Sequence, residues 1–131
     1  MGAKGLTKEI IIAEAVALIE ETEQPEVSLH ELARRLEIKT PSLYNHIKNT
    51  KELQHAVFQF AIDKFVANQK LATENKKKDE AVKAFADAYY SFATENKGLY
   101  RLIMSMPSEE DDMEKKMAVP LLNTVVSILS D

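Results

Sequence analysis

The sequence predicts an all-α fold. Glycine is nearly absent, with 3 in 131 residues. No stretch alternates apolar and polar residues as a half-buried strand does, and the apolar residues recur at the three- and four-residue spacings of helices. Cap and stop signals divide this pattern into elements.

Thr7 stands at the cap of a first helix running to about residue 21, with Ile10, Ile11, Ala13, Val16, Ala17 and Ile19 as a broad apolar stripe. A polar link, 22–27, contains Pro25. Ser28 and Glu31 form the capping-box pattern SLHE at the head of a helix reaching about residue 36. Its Leu29, Leu32, Ala33 and Leu36 share one face. Residues 37–39 read as a turn, after which Thr40 is the cap and Pro41 the first residue of a short helix to about residue 47. Thr50 is the expected cap of a long helix over 51–72 that carries Leu53, Ala56, Val57, Phe60, Ala61 and Phe65. Residues 73–80 read as a charged, solvated linker. A helix over about 79–95 puts Val82, Phe85, Tyr89 and Phe92 on one face, and Asn96-Lys97-Gly98 reads as a glycine stop. Residues 99–106 are a short apolar helix ended by Pro107 and Ser108, and 109–114 an acidic solvated loop or the start of a surface helix. The last helix, 120–129, carries Leu121, Leu122, Val125, Val126, Ile128 and Leu129 and needs a partner.

Composition removes several function classes. There is no cysteine, which excludes disulfides and thiolate chemistry, and three scattered histidines do not build a zinc site. No apolar run approaches a membrane span, and the start has no signal-peptide core, so the expected compartment is the cytoplasm. Leu6 stands where an N-myristoylation signal needs Ser or Thr. No nucleophile lies beside a base, no glycine loop is shaped to cradle phosphate, and no carboxylate pair sits among apolar neighbours. The reading is a non-enzyme with no metal or cofactor.

The formal net charge is −4, yet residues 34–51 hold Arg34, Arg35, Lys39, Lys48 and Lys51 against one acid, Glu37, five charges less one, or about +4. This suits a protein that meets a polyanion with one small face. Two short helices joined by a three-residue turn and braced by a helix upstream have the order and spacing of a helix-turn-helix unit. In such a unit the second helix lies in the major groove of DNA. Leu43 and Ile47 are four apart and face the core formed with Leu32, Leu36 and Ile38, while Thr40, Pro41, Ser42, Asn45 and His46 point largely outward. Ser42 can hydrogen-bond base edges and Pro41 can meet a thymine methyl. Tyr44 and His46 can donate to phosphates, and the helix start at Thr50 and Lys51 offers a positive end. Tyr44 reads equally as a packing residue, and both roles are compatible. His30 and His55 read as surface or helix-packing residues. Lys4 and Lys8 either reach a neighbouring phosphate or belong to a disordered arm.

From Leu6 to about Phe60 the chain resembles the DNA-binding domain of TetR-type transcriptional regulators. The resemblance lies in SLHELARRLEIKTPSLYNHIKNTKELQHAVF: Ser28, the Leu32-Ala33 pair, Ile38, then Leu43, Tyr44, His46 and Ile47, then Lys48, Thr50, Lys51 and Leu53. It covers under half of the chain, and its motifs are specific in combination rather than singly. It implies that Ser28, Tyr44, His46 and Lys48 touch phosphates and that Thr40, Pro41 and Ser42 lie nearest the bases, with Lys39, Asn45 and Lys51 completing the DNA-binding set. Glu37 stands where the family usually has Gly, so the turn either takes a left-handed residue or changes geometry. Thr50 stands where the family usually has Lys, which removes one phosphate partner. Both departures lower the expected affinity.

FATENKGLYRLIMSMP is similar, more faintly, to a sensor-domain segment of one subgroup of that family. The resemblance implies three regions. Residues 1–50 form a three-helix bundle with the helix-turn-helix, 51–72 a linking helix, and 73–131 a partial helical sensor and dimerisation lobe. It further implies a dimeric, ligand-responsive repressor that binds a near-palindromic operator and is released by a small, mainly apolar effector. The chain stops at or before the family's dimer helices, which reads as a fragment or a shortened member. Phe85, Tyr89, Phe92, Tyr100, Met104 and Met106 are the candidate effector contacts, although aromatics and methionines at helical spacing read equally as core. Two rival readings remain: an activator or constitutive DNA binder of the same fold, and an all-helical protein-interaction module with no DNA binding.

Overall fold

One helix, Thr50–Thr73, organises the molecule, because its buried residues Leu53, Val57, Phe58, Ala61, Ile62, Phe65, Val66 and Gln69 form a stripe along its whole length. The computed structural model describes residues 5–105 and 112–130. Its regular elements are all helical: α1 Lys8–Thr22, α2 Leu29–Arg35, α3 Thr40–Leu43, α4 Thr50–Thr73, α5 Lys78–Glu95, α6 Lys97–Ser105 and α7 Asp112–Ser130. The all-α expectation holds. α4 packs most extensively against α7 and α5, then against α6 and α1, while α2 and α3 pack on each other and α2 on α1. A single buried cluster runs from Ile11 and Ile19 in α1 through Leu32, Leu43 and Ile47 to Phe92, Leu102 and Ile103.

The local signals decide most of the helix ends. Thr7 caps α1 by accepting the Ile10 N–H at 3.1 Å, and Ser28 caps α2 by accepting that of Glu31 at 3.2 Å. The Glu31 carboxylate pairs with Arg34 one turn on, so the observed contact uses one arm of the expected capping box. Glu37 takes the left-handed conformation that the turn requires, with φ 59°.

Five expectations are corrected. The short helix predicted over 40–47 is helical only over Thr40–Leu43, and Lys39 rather than Thr40 is its cap. It then tightens into turns: Tyr44, Asn45 and His46 donate to the carbonyls three residues back, at 3.0–3.2 Å. α4 is capped by Asn49, whose side-chain carbonyl accepts the Glu52 N–H at 2.8 Å, and Thr50 is its first residue. The supposed linker 73–80 shrinks, because α4 ends at Thr73 and α5 begins at Lys78. Gly98 does not stop α5, whose cap is Asn96; it lies inside α6. α7 starts at Asp112, well before Pro120, which sits on its exposed side and removes one helical donor. Asp112 and Met113 are therefore helical; the rest of the acidic stretch up to residue 111 lies outside the described residues.

The α4–α5 contact centres on aromatic rings. Phe65 meets Phe92, Tyr89 and Phe85 at centroid distances of 5.2, 5.8 and 6.4 Å, all close to perpendicular, the arrangement ring quadrupoles favour. Gln69 is fully buried beside them. With its amide turned to satisfy both atoms, it donates to the Phe85 carbonyl and accepts from the Tyr89 N–H, each at 3.3 Å.

Truncating Phe92 to Ala is expected to cost about 3–5 kcal/mol in urea unfolding, the range for a large buried aromatic; a loss near zero would mean the cluster is not packed. Glu37→Gly is expected to raise the urea midpoint, by about 0.5–1 kcal/mol in stability, because glycine takes the left-handed turn without a Cβ penalty. No change there would show that the turn is unstrained.

Candidate nucleic-acid interface

Residues 39–51 fold as a strip with two faces. Leu43 and Ile47 are buried, at 0 % and 2 % exposure, and anchor the strip to Leu32 and the α1–α4 core. Lys39, Pro41, Tyr44, Asn45, Lys48 and Lys51 are exposed, and Thr40, Ser42 and His46 half-buried. Tyr44 keeps 48 % of its surface in solvent. Ser28, exposed at the head of α2, joins the strip through the packing of α2 on α3. All ten candidate residues thus reach the surface, while the apolar residues between them turn in.

The charges divide in a way that counting did not reveal. Arg35 is held between two acids of α1, with Glu14 at 2.8 Å and Glu21 at 2.9 Å, and its side chain is only 21 % exposed. Arg34 pairs with Glu31. Arg35 thus acts as a strut between α2 and α1, where a rigid guanidinium fork suits it, whereas the Arg34 pair stays within α2. Among the described residues, Lys39 and Lys48 enter no ion pair, so the positive charge left for a polyanion sits on and after α3. The Glu31–Arg34 pair was readable from its three-residue spacing. The Arg35 pairs join residues 14 and 21 apart and carried no local signal.

A second acid shapes the far end of the strip. The Glu52 carboxylate accepts the Lys48 backbone N–H at 2.7 Å and pairs with Lys8 at 3.4 Å. The Lys48 hydrogen bond is the main reason its carboxyl lies below the ordinary range, with the Lys8 and Lys48 charges adding to it. Lys8 is thereby tied to the start of α4, in place of the free arm considered from sequence, and Lys4 lies outside the described residues. Glu52 was not among the candidates; Asn-x-x-Glu at 49–52 is the capping signal that points to it.

The candidate effector residues separate. Phe85, Tyr89 and Phe92 come together around Phe65, with Phe92 only 1 % exposed, and Tyr100 packs edge-on against Tyr89. The Tyr89 and Tyr100 hydroxyls lie 2.9 Å apart. That bond and burial push Tyr89 up to about 12. Met104 is on the surface at 53 % exposure, and Met106 lies outside the described residues. Next to the rings, Val82 and Phe85 of α5 and Val125 and Ile128 of α7 enclose an apolar cavity of about 140 Å³. Its α7 wall is made by residues that sequence analysis did not select, because their apolar spacing is that of any packing helix. No group of His, Asp or Glu among the described residues could hold a metal, and no described helix is long and apolar enough to cross a membrane.

The described residues are thus all-helical and carry an exposed, lysine-bearing strip on a helix-turn-helix arrangement. The chain is homologous to HTH-type transcriptional regulators. It is 31% identical over 109 residues to the uncharacterized HTH-type transcriptional regulator Rv0681 of Mycobacterium tuberculosis, covering 83% of this chain and 50% of that protein. It is 30% identical over 96 residues to the uncharacterized HTH-type transcriptional regulator YobS of Bacillus subtilis, covering 73% of this chain and 50% of that one. The chain thus spans about half the length of the curated relatives it matches. No family model matches it.

A carboxyl held low in the folded state contributes stability above its unfolded pKa of about 4.3, and this is lost as pH falls through the folded value. The melting temperature is therefore expected to drop as pH falls below about 4.3, less steeply in Glu52→Gln than in the wild type. Equal slopes would mean that the Lys48–Glu52 bond does not form in solution.

Proposed function

We propose that this chain is a TetR-type transcriptional regulator that reads DNA with the 40–47 segment. Supporting this is the two-faced strip itself, with Leu43 and Ile47 locked inward and lysines, small polar groups and an aromatic left outward, in a chain homologous to HTH-type regulators. In this reading Thr40, Pro41 and Ser42 approach base edges, whereas Ser28, Lys39, Tyr44, Asn45, His46, Lys48 and Lys51 hold phosphates and fix the register. Residues 1–50 are the reading domain, α4 the link, and α5–α7 part of a sensor and dimerisation lobe.

The protein acts as a homodimer on a near-palindromic operator, placing its two reading segments in successive major grooves about 34–36 Å apart. The exposed apolar side chains Val119, Leu122 and Val126 on α7 support self-association of that lobe. A small, mainly apolar effector enters beside the aromatic cluster, where the cavity between α5 and α7 lies, and favours a different separation of the reading segments. Occupancy of the operator falls and transcription is released, which makes the protein a repressor.

DNA from upstream of the protein's own gene is the substrate for the test. Binding is expected to weaken with salt, with a log–log slope of about −0.9 per phosphate neutralised. Tyr44→Ala/Lys48→Ala is expected to weaken it at least about tenfold and to flatten the slope by about 1 for each Lys48 lost. A folded chain whose binding ignores both salt and these two residues would sink the reading.

A further inference from the structure

Ile19, Glu20 and Glu23 close α1, and Gly98, Leu99 and Arg101 open α6. The two sets meet in a joint that neither helix completes alone. α1 has no basic residue in its last turn and α6 no acidic residue in its first, so each end lacks the charge its dipole favours. Each obtains it from the other. The Glu20 carboxylate accepts the Leu99 N–H at 3.0 Å, and the Arg101 guanidinium donates to the Glu23 carbonyl at 2.9 Å. Glu23 is the left-handed residue that ends α1, with φ 57°, so Arg101 secures the carbonyl of a residue whose own Cβ disfavours that conformation.

Between the two bonds the backbones touch. A Cβ on Gly98 would lie 2.1 Å from the Ile19 carbonyl oxygen and 2.6 Å from its carbon. Glycine alone permits that approach, which accounts for a glycine inside a helix where it otherwise weakens the element. Tyr100, the residue between Leu99 and Arg101, bonds Tyr89 in the aromatic cluster. Four consecutive residues, 98–101, thus connect the rings beside the α5–α7 cavity to the end of α1.

We infer that Glu20, Gly98 and Arg101 are positioning residues for DNA reading: the α1–α6 joint fixes the angle at which the helix-turn-helix is carried, and a displacement of α6 reaches the reading segment through it. The inference rests on the regulator reading above and gives it a second attachment beside α4. A rod attached at one point leaves its load free to swing. The second point removes that freedom.

The chain has no cysteine, so spin labels at His30→Cys and Ser91→Cys, both exposed positions, report the distance between α2 and α5 without further engineering. The intact joint is expected to give one narrow distance distribution. Glu20→Met/Arg101→Met removes both polar bonds at similar side-chain volume. It is expected to broaden the distribution and, in unlabelled protein, to weaken binding to the upstream DNA about fivefold or more, with little change in melting temperature. Glu20→Gln/Arg101→Lys keeps an acceptor and a donor and is expected to restore both readouts. An unchanged distribution in the Met variant overturns the inference, and so does a broadened one with unchanged DNA affinity, which would leave the joint as packing alone. If wild-type protein binds no DNA, the regulator reading fails instead, and the distance distributions still decide by themselves whether the joint holds the angle.

Discussion

The buried stripe of α4 serves two sets of neighbours at once, and that double duty constrains everything around it. A helix of 24 residues is about 36 Å long and stiff at that length. Near its amino end Gln54 donates to the Pro25 carbonyl in the α1–α2 link, and nearer its other end Lys64 donates to Asn96 and Phe65 enters the aromatic cluster. The positions 53, 57, 58, 61, 62, 65, 66 and 69 leave little room for a polar residue, and the one that is there, Gln69, has both amide atoms accounted for. Burying such an amide unpaired would cost several kcal/mol by typical transfer values, about 2–7.

The acidic total and the basic strip are parts of one arrangement. Acids of α1 hold Arg35 and Glu31 of α2 pairs with Arg34, whereas Lys39 and Lys48 enter no ion pair among the described residues. A guanidinium fork between two carboxylates is directional and stays in place, whereas a lysine ammonium is a mobile point charge suited to a phosphate that varies in position. Residue type thus sorts the positive charge into structural and available parts, something net charge cannot express.

Local chemistry made much of this legible. Thr7 and Ser28 announced their caps, Pro41 a helix start, and the four-residue spacing of Leu43 and Ile47 the inward face of the 40–47 segment. Glu37 was readable as a position demanding either strain or a different turn, and it takes the strained form. What escaped depends on contacts far apart in sequence. Gly98 has the local look of a helix stop, and only the nearness of Ile19, 79 residues away, reveals its purpose. Pro120 looks like a helix start because nothing in its neighbourhood says that residues 112–119 are already helical. Asn49 and Thr50 are both good caps, and side-chain reach to the Glu52 amide separates them. Helical spacing put Phe85, Tyr89 and Phe92 on one face of α5, but which of the aromatic residues border open space depends on α7, whose own sequence is that of an ordinary packing helix.

Gln69 grips main chain rather than side chains, and this has an evolutionary consequence. Its partners, the Phe85 carbonyl and the Tyr89 amide, are present whatever residues occupy those positions of α5. The sliding register between α4 and α5 is therefore held independently of the side chains that border the cavity. Descendants of this chain are free to exchange those side chains and diversify the cavity's chemistry without losing the alignment of the two helices. A hydrogen bond invisible to the composition of the cavity makes that composition open to change.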